Sequence, residues 1–210
     1  PQEYHEASVF PAALDSPLLD ALGVRFLVVP PETALDGSLA AYPVRHRDAE
    51  SLILERPTAL PRAWIVHRVT MAEPGRALDA MTGEVFDPAT TVVLETGGPA
   101  PDGPTAAGSR VLDVSSGFDR LDIKARLDGY GVLVIVQAFD HGWSASIDGE
   151  PARLVRADHA LMALPLPAGD HAVILQYEPP LLRAGLALSG LAIAFLAGAI
   201  GVAARTRRAA

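Results

Sequence analysis

Between Arg183 and Arg205 the chain carries no charged residue: the segment AGLALSGLAIAFLAGAIGVAA runs from Ala184 to Ala204, with Ser189 as its only polar side chain. At about 1.5 Å of rise per residue, a helix of this length reaches roughly the ~30 Å of a bilayer's hydrocarbon core. A buried helix of a water-soluble domain would normally keep a polar edge. The segment therefore predicts one transmembrane helix over 182–204 and a short tail over 205–210. Position excludes a signal peptide. Arg183 stands before the helix, whereas Arg205, Arg207 and Arg208 follow it. The positive-inside rule then places the tail in the cytoplasm and everything before Arg183 outside it. Gly190, Ala194 and Gly198 recur every four residues on one helix face, a small-residue stripe that suits close packing against neighbouring helices. The sequence starts at Pro1 without an initiator Met, and an exported domain needs an upstream export signal. Further transmembrane helices before Pro1 are the expectation, making the full protein multi-pass.

All of the acidic residues precede the helix, and residues 1–183 carry a formal charge of −11, which Arg205, Arg207 and Arg208 bring to the net −8 of the chain. Such an acidic surface argues against nucleic acid and against electrostatic binding to anionic headgroups. Abundant Ala, Arg, Pro and Gly give the composition of a GC-rich bacterial genome, so the expected location is a bacterial cytoplasmic membrane. Cysteine is absent, hence no disulfides. His5, His46, His67, His141, His159 and His171 show no metal-ligand spacing. The Gly97-Gly98 region lacks the Lys and the helix of a phosphate loop, and Ser115-Ser116-Gly117 lacks the context of a nucleophile elbow. No metal, cofactor or catalytic residue is predicted in this stretch.

Along the chain, 1–12 reads as a linker and 13–96 as a small α/β lobe. Within the lobe, Ala13 to Leu22 predicts a helix stopped by Gly23. Strands are predicted at 24–29, 51–55, 63–69 and 91–95, a loop to about Ala49, and a helix at 74–81. Residues 97–108, GGPAPDGPTAAG, read as a Gly/Pro linker. From 109 to 180 the pattern is that of a β-sandwich or jelly roll. Leu121, Ile123, Ala125 and Leu127 alternate with polar residues, as in a half-buried strand. Gly131 to Phe139 is nearly all apolar and predicts a central strand covered on both faces. Trp143, Ala145 and Ile147 alternate with polar neighbours up to Asp148-Gly149, a type I′ hairpin signal. Val173, Leu175 and Tyr177 share one face of the last strand. The fold class is thus mainly β: a sandwich preceded by a small α/β lobe and followed by one membrane helix.

Four stretches resemble the C-terminal part of bacterial YfhO-like membrane proteins, within the type C glycosyltransferase superfamily. They are Leu19 to Val28 (LDALGVRFLV), Glu55 to Trp64 (ERPTALPRAW), Phe86 to Glu95 (FDPATTVVLE), and Phe139 through the Asp148-Gly149 turn to Tyr177-Glu178-Pro179-Pro180. The last, running directly into the terminal apolar helix, is the most specific. One departure is Asp140-His141 before Gly142-Trp143, where the family often has Tyr-Pro. The resemblance implies a polytopic protein that transfers sugars from a lipid-linked donor on the outer face. It places the catalytic carboxylate in an early loop outside this sequence, so no catalytic residue carries over.

Asp140, His141 and Trp143 are the candidate ligand-binding residues. An indole beside a carboxylate and an imidazole can stack on a sugar ring and hydrogen-bond its hydroxyls. The alternation with Ala145 and Ile147 equally places Trp143 on the apolar face, as a packing residue. Asp113, Asp119, Asp122 and Asp128 are spread along strands and turns and read as solvated. Expected partners are the lipid bilayer, other transmembrane helices of the same protein and a glycan or lipid-linked sugar. Two readings stay open: an accessory acceptor-binding domain of a membrane glycosyltransferase, or a purely structural β-sandwich module with no sugar role. A stand-alone single-pass enzyme would need a polar pocket that the sequence does not reveal.

Overall fold

The computed structural model describes residues 14, 16–82, 86–95, 108–179 and 181–208. Its elements in chain order are α1 (Pro17–Ala21), β1 (Phe26–Val29), β2 (Val44–Arg47), β3 (Leu52–Glu55), β4 (Ala63–Val66), β5 (Arg68–Met71), α2 (Ala77–Met81), β6 (Thr91–Leu94), β7 (Arg110–Ser116), β8 (Arg120–Leu127), β9 (Gly131–Ile135), β10 (Trp143–Ile147), β11 (Glu150–Ala152), β12 (Val155–Ala157), β13 (Leu161–Leu166), β14 (Gly169–Tyr177) and α3 (Leu182–Arg208). The protein is mainly β, with three sheets among the described residues.

The first sheet is antiparallel with order β1-β3-β2. Leu27, Val29, Leu52 and Leu54 form its core together with Leu39. α1 has Ser16 as its N-cap, whose hydroxyl accepts from the Leu18 N–H at 3.3 Å. Gly23 ends the helix with φ +66°, the left-handed conformation that a C′ glycine supplies. β2 lies inside the stretch that the sequence predicts as loop. All four of its residues are exposed, so no apolar alternation marks it, and pairing to β3 alone makes it a strand.

Arg56, directly after β3, fastens this sheet to α1. Its side chain is almost fully buried and pairs with Asp20 at 2.7 Å. It also donates to the Tyr42 hydroxyl at 2.8 Å, to Ser16 O at 3.2 Å and to Leu14 O. Such a fork of donors can satisfy several acceptors at once, which a point-charge lysine cannot.

The second sheet has the order β4-β9-β13-β12-β6-β5. β4 and β5 stand at its two ends, yet Val66 and Arg68 are only two residues apart and so within about 7 Å. The sheet must therefore curl until its edges meet at His67. Its concave face encloses a core of its own, built from Trp64, Val66, Val92, Leu94, Val132 and Val134 with β12 and β13 residues. His67 sits buried at the seam, with Nδ1 2.9 Å from Tyr130 O.

The third sheet is antiparallel, in the order β11-β10-β14-β8-β7. Leu121, Ile123, Ala125 and Leu127 of β8 pack with Val173 and Leu175 of β14 against Leu133, Ile135, Met162 and Leu164 on the convex face of the second sheet. All five residues of β9 are consequently buried, as a central strand requires. The Asp148-Gly149 turn has φ +54° and +89°, the type I′ geometry that the sequence predicts.

Two expectations change. The predicted strand over 63–69 breaks at His67 into β4 and β5. The predicted partition into a lobe over 13–96 and a sandwich over 109–180 does not match the sheet order, because β4, β5 and β6 are strands of the second sheet. The reason is pairing: Ala63↔Ile135 and Ala157↔Leu94 join segments far apart in sequence. Only β1 to β3 with α1 form a separate layer. The predicted linker over 1–12 and most of 97–108 fall outside the described residues.

α3 is helical across the whole uncharged segment. Side chains are described on it at 182, 185–196 and 198, and all of them are exposed. Among the described residues no helix is long and apolar enough to cross a membrane.

Candidate functional site

The loop from β9 to β10 and the end of β14 form an aromatic corner of the third sheet. Trp143 opens β10 and stands opposite Tyr177, the last residue of β14. Their rings lie 5.1 Å apart at a tilt of 48°, and the Trp143 side chain packs against the main core. Asp140 caps the turn: its Oδ1 accepts from the Gly142 N–H at 2.7 Å, and its backbone carbonyl accepts from the Trp143 N–H at 3.2 Å. Partial burial first, then the charge of Asp140 and a hydrogen bond to it, push the Tyr177 phenol above its usual pKa. Gly142 is buried, and its carbonyl accepts from the Glu178 N–H at 2.8 Å.

His141 is exposed and meets the edge of Phe139 at 5.8 Å. The Arg156 guanidinium lies 5.2 Å from the Phe139 ring centre. The three predicted site residues are thus neighbours in one turn but differ in circumstance. Asp140 is engaged by its own turn and by Tyr177, and Trp143 is half-buried, whereas His141 faces solvent. Chemically, the corner offers ring edges, an imidazole and a guanidinium beside the Asp140 carboxylate.

The Asp148-Gly149 turn and the following PAG-x-H segment are a cross-tie at the other end of the sheet. Asp148 accepts from the Ala172 N–H at 2.8 Å through Oδ1 and meets His171 Nδ1 at 2.8 Å through Oδ2. The other His171 ring nitrogen faces Pro167 O at 3.2 Å. The Ala172 N–H first, and His171 second, hold the Asp148 carboxyl below its ordinary range. Motif residues prominent in the sequence here join two turns.

One strongly perturbed group was not apparent in the sequence. Asp158 follows β12 in a left-handed conformation, φ +45°, with His159 at +66°. Its backbone N–H donates to Val93 O at 2.8 Å, and its Oδ1 accepts from the Val93 N–H at 2.8 Å. The carboxylate thereby takes the place of the backbone carbonyl that the turn withdraws from the β12–β6 ladder. Asp158 Oδ2 has no partner among the described residues, nor has Glu95 Oε1, and His159 Nδ1 stands 3.9 Å from the latter, too far for a hydrogen bond. Burial pushes the Asp158 carboxyl up to about 7, the Val93 N–H opposing the shift.

A pH dependence follows, because the folded-state pKa lies above that of the unfolded chain. The contribution is full below about pH 4, where both states hold the proton, and is lost as pH rises through about 7. Asp158→Asn keeps the acceptor for Val93 and removes the ionisation. It is expected to flatten the stability profile between pH 4 and 8 and to be more stable than the parent at pH 8 by about 1–3 kcal/mol. Thermal unfolding of the full chain across that range is the check; parallel profiles for the two proteins would refute the assignment.

An open groove runs between the edge strands β4 and β7, lined among others by Pro61, Trp64, Arg110, Leu112 and Asp113. The Trp64 indole N–H is already committed to Pro88 O at 2.9 Å. No cluster of side chains able to hold a metal ion occurs among the described residues.

The last strand of the third sheet passes, within a few residues, into the C-terminal helix. Residues 114–189 match the family of the bacterial membrane protein YfhO, so this region of the chain is YfhO-like. The match runs from the end of β7 through β14 into the first turns of α3, just over a third of the 210 residues. It contains the Phe139 to Pro180 stretch; the other three stretches of resemblance lie outside it. No curated protein and no solved structure matches the chain.

Proposed function

We propose that the chain is the C-terminal, extracytoplasmic β domain and last membrane helix of a multi-pass bacterial membrane protein that transfers sugar from a lipid-linked donor. The domain itself is non-catalytic in this reading and offers its aromatic corner to the acceptor. The observation that carries the membrane placement is the surface of α3. Leu186, Leu188, Leu191, Ile193, Phe195 and Leu196 are each 59–77 % exposed and, at 100° per residue, spread over about 220° of the helix, the small residues Gly190, Ala194 and Gly198 taking up the remainder. A helix apolar on every side needs lipid or other helices around it. Nothing lies within 4 Å of the Cβ positions of Gly190 and Gly198, which with Ala194 would form the face for neighbouring helices. The arginine flanks orient the domain outward and the tail inward.

The acceptor role is tested at His141, which is exposed and, unlike the equally exposed Asp140, does not cap the turn. The full chain in nanodiscs would be titrated with oligosaccharides and lipid-linked sugars, and His141→Ala is expected to weaken binding about tenfold, equivalent to about 1.4 kcal/mol. Equal affinity of the two proteins, or no binding by either, would favour the second reading, a purely structural module. The packing of Trp143 onto Tyr177 is the observation on that side.

A further inference from the structure

We infer that the β7–β8 turn, with Phe118 at its tip, is an interfacial anchor that seats this end of the sandwich in the headgroup region of the bilayer. The inference rests on α3 being a membrane span and goes beyond it, because a span could equally hang the domain clear of the lipid. Phe118 is completely exposed, 110 % relative to an extended reference, whereas the other Phe side chains in the described sandwich are partly covered. The hairpin around it is well ordered by its own bonds. The Gly117 N–H donates to Arg120 O at 2.7 Å, closing the turn, and Arg120 pairs with Asp122 at 2.7 Å. A hydrogen-bonded turn that holds a phenyl ring in water keeps that apolar surface exposed, and a bilayer interface would cover it.

The position of the turn points to the occupant. β8 starts where β14 ends: Gln176 pairs with Arg120, and the Tyr177 N–H donates to Asp119 O at 2.7 Å. Phe118 therefore sits beside the residue from which the chain leaves for α3. Between Tyr177 and Leu182 the chain spans at most about 18 Å. Leu181 and Leu182, at the helix start, are 81 % and 50 % exposed. Trp143 and Tyr177 lie at the same end, and such amphipathic rings favour the membrane–water boundary. Nearby carboxylates Asp119, Asp140 and Glu178 make the contact one of ring insertion without electrostatic attraction. A zwitterionic surface suffices, and added salt leaves it in place.

The absence of native cysteine allows a direct test. Full-length Phe118→Cys, Leu191→Cys and Glu150→Cys proteins would each be labelled with an environment-sensitive fluorophore and reconstituted in phosphatidylcholine nanodiscs. Leu191 reports on the span, and Glu150, beside the turn at the far end of β10, reports on bulk water. The expected result is a blue-shifted emission at positions 118 and 191. Shallow nitroxide lipids should quench position 118, deep ones position 191, and neither position 150. Position 191 in lipid with position 118 as aqueous as 150 would overturn the anchor and leave the span standing. Positions 118 and 191 both aqueous would remove the span and the anchor together.

Discussion

Arg56→Ala is expected to destabilise the β1–β3 layer by about 3–5 kcal/mol, the cost of removing one partner of a buried ion pair. Asp20, whose side chain is 14 % exposed, would lose its guanidinium partner. The Tyr42 hydroxyl and the carbonyls of Leu14 and Ser16 would lose their donor at the same time. Because β1 to β3 form their own sheet with their own core, the loss is expected to be local. Hydrogen exchange on the full chain should show β1 and β3 losing protection while β8 and β14 keep theirs. Adding Asp20→Leu to Arg56→Met should cost less than Arg56→Ala alone, since no uncompensated charge remains. A loss below about 1 kcal/mol would place Arg56 among ordinary surface pairs.

Gly142→Ala is the second large effect, about 1–3 kcal/mol from overpacking. A Cβ at this position would come within 2.6 Å of Tyr177 Cε2 and within 3.0 Å of both Asp140 Oδ1 and Glu178 O. The tyrosine ring can turn, but Glu178 O is backbone, on the short link to α3. The substitution should therefore separate Trp143 from Tyr177, seen as a change in tryptophan emission, and lower the unfolding temperature. In a Tyr177→Ala background the added cost should shrink, because the closest clash is gone. An undiminished cost there would place the strain elsewhere.

The Gly142 geometry gives a physical meaning to the Gly-Trp pair that marks this stretch in the sequence. Gly is required because the β9–β10 loop passes directly against the end of β14. In the same way Asp148 and His171 are legible as a recurring pattern, yet their role as a cross-tie appears only when the two turns are seen side by side. Neither the buried state of Asp158 nor its ladder bond to Val93 leaves any local trace, since a carboxylate after a short strand normally reads as solvated.

Local chemistry was enough for several conclusions. The uncharged run from Ala184 to Ala204 determines a long helix, because no charged residue, Gly-Pro break or turn signal interrupts it. Period-two alternation determines the inward faces of β8 and β10, and Asp148-Gly149 determines the hairpin, since left-handed φ at both positions suits few residue pairs. The mainly β class follows from these elements. Only the tertiary structure decided that β4, β5 and β6 belong to a curled sheet shared with β9, β12 and β13. Strand partners far apart in sequence are chosen by complementary faces and by the curl of the sheet, and neither is written in any local window. The same holds for Arg56, whose five-donor fork is an ordinary surface cation until α1, β3 and Tyr42 close around it.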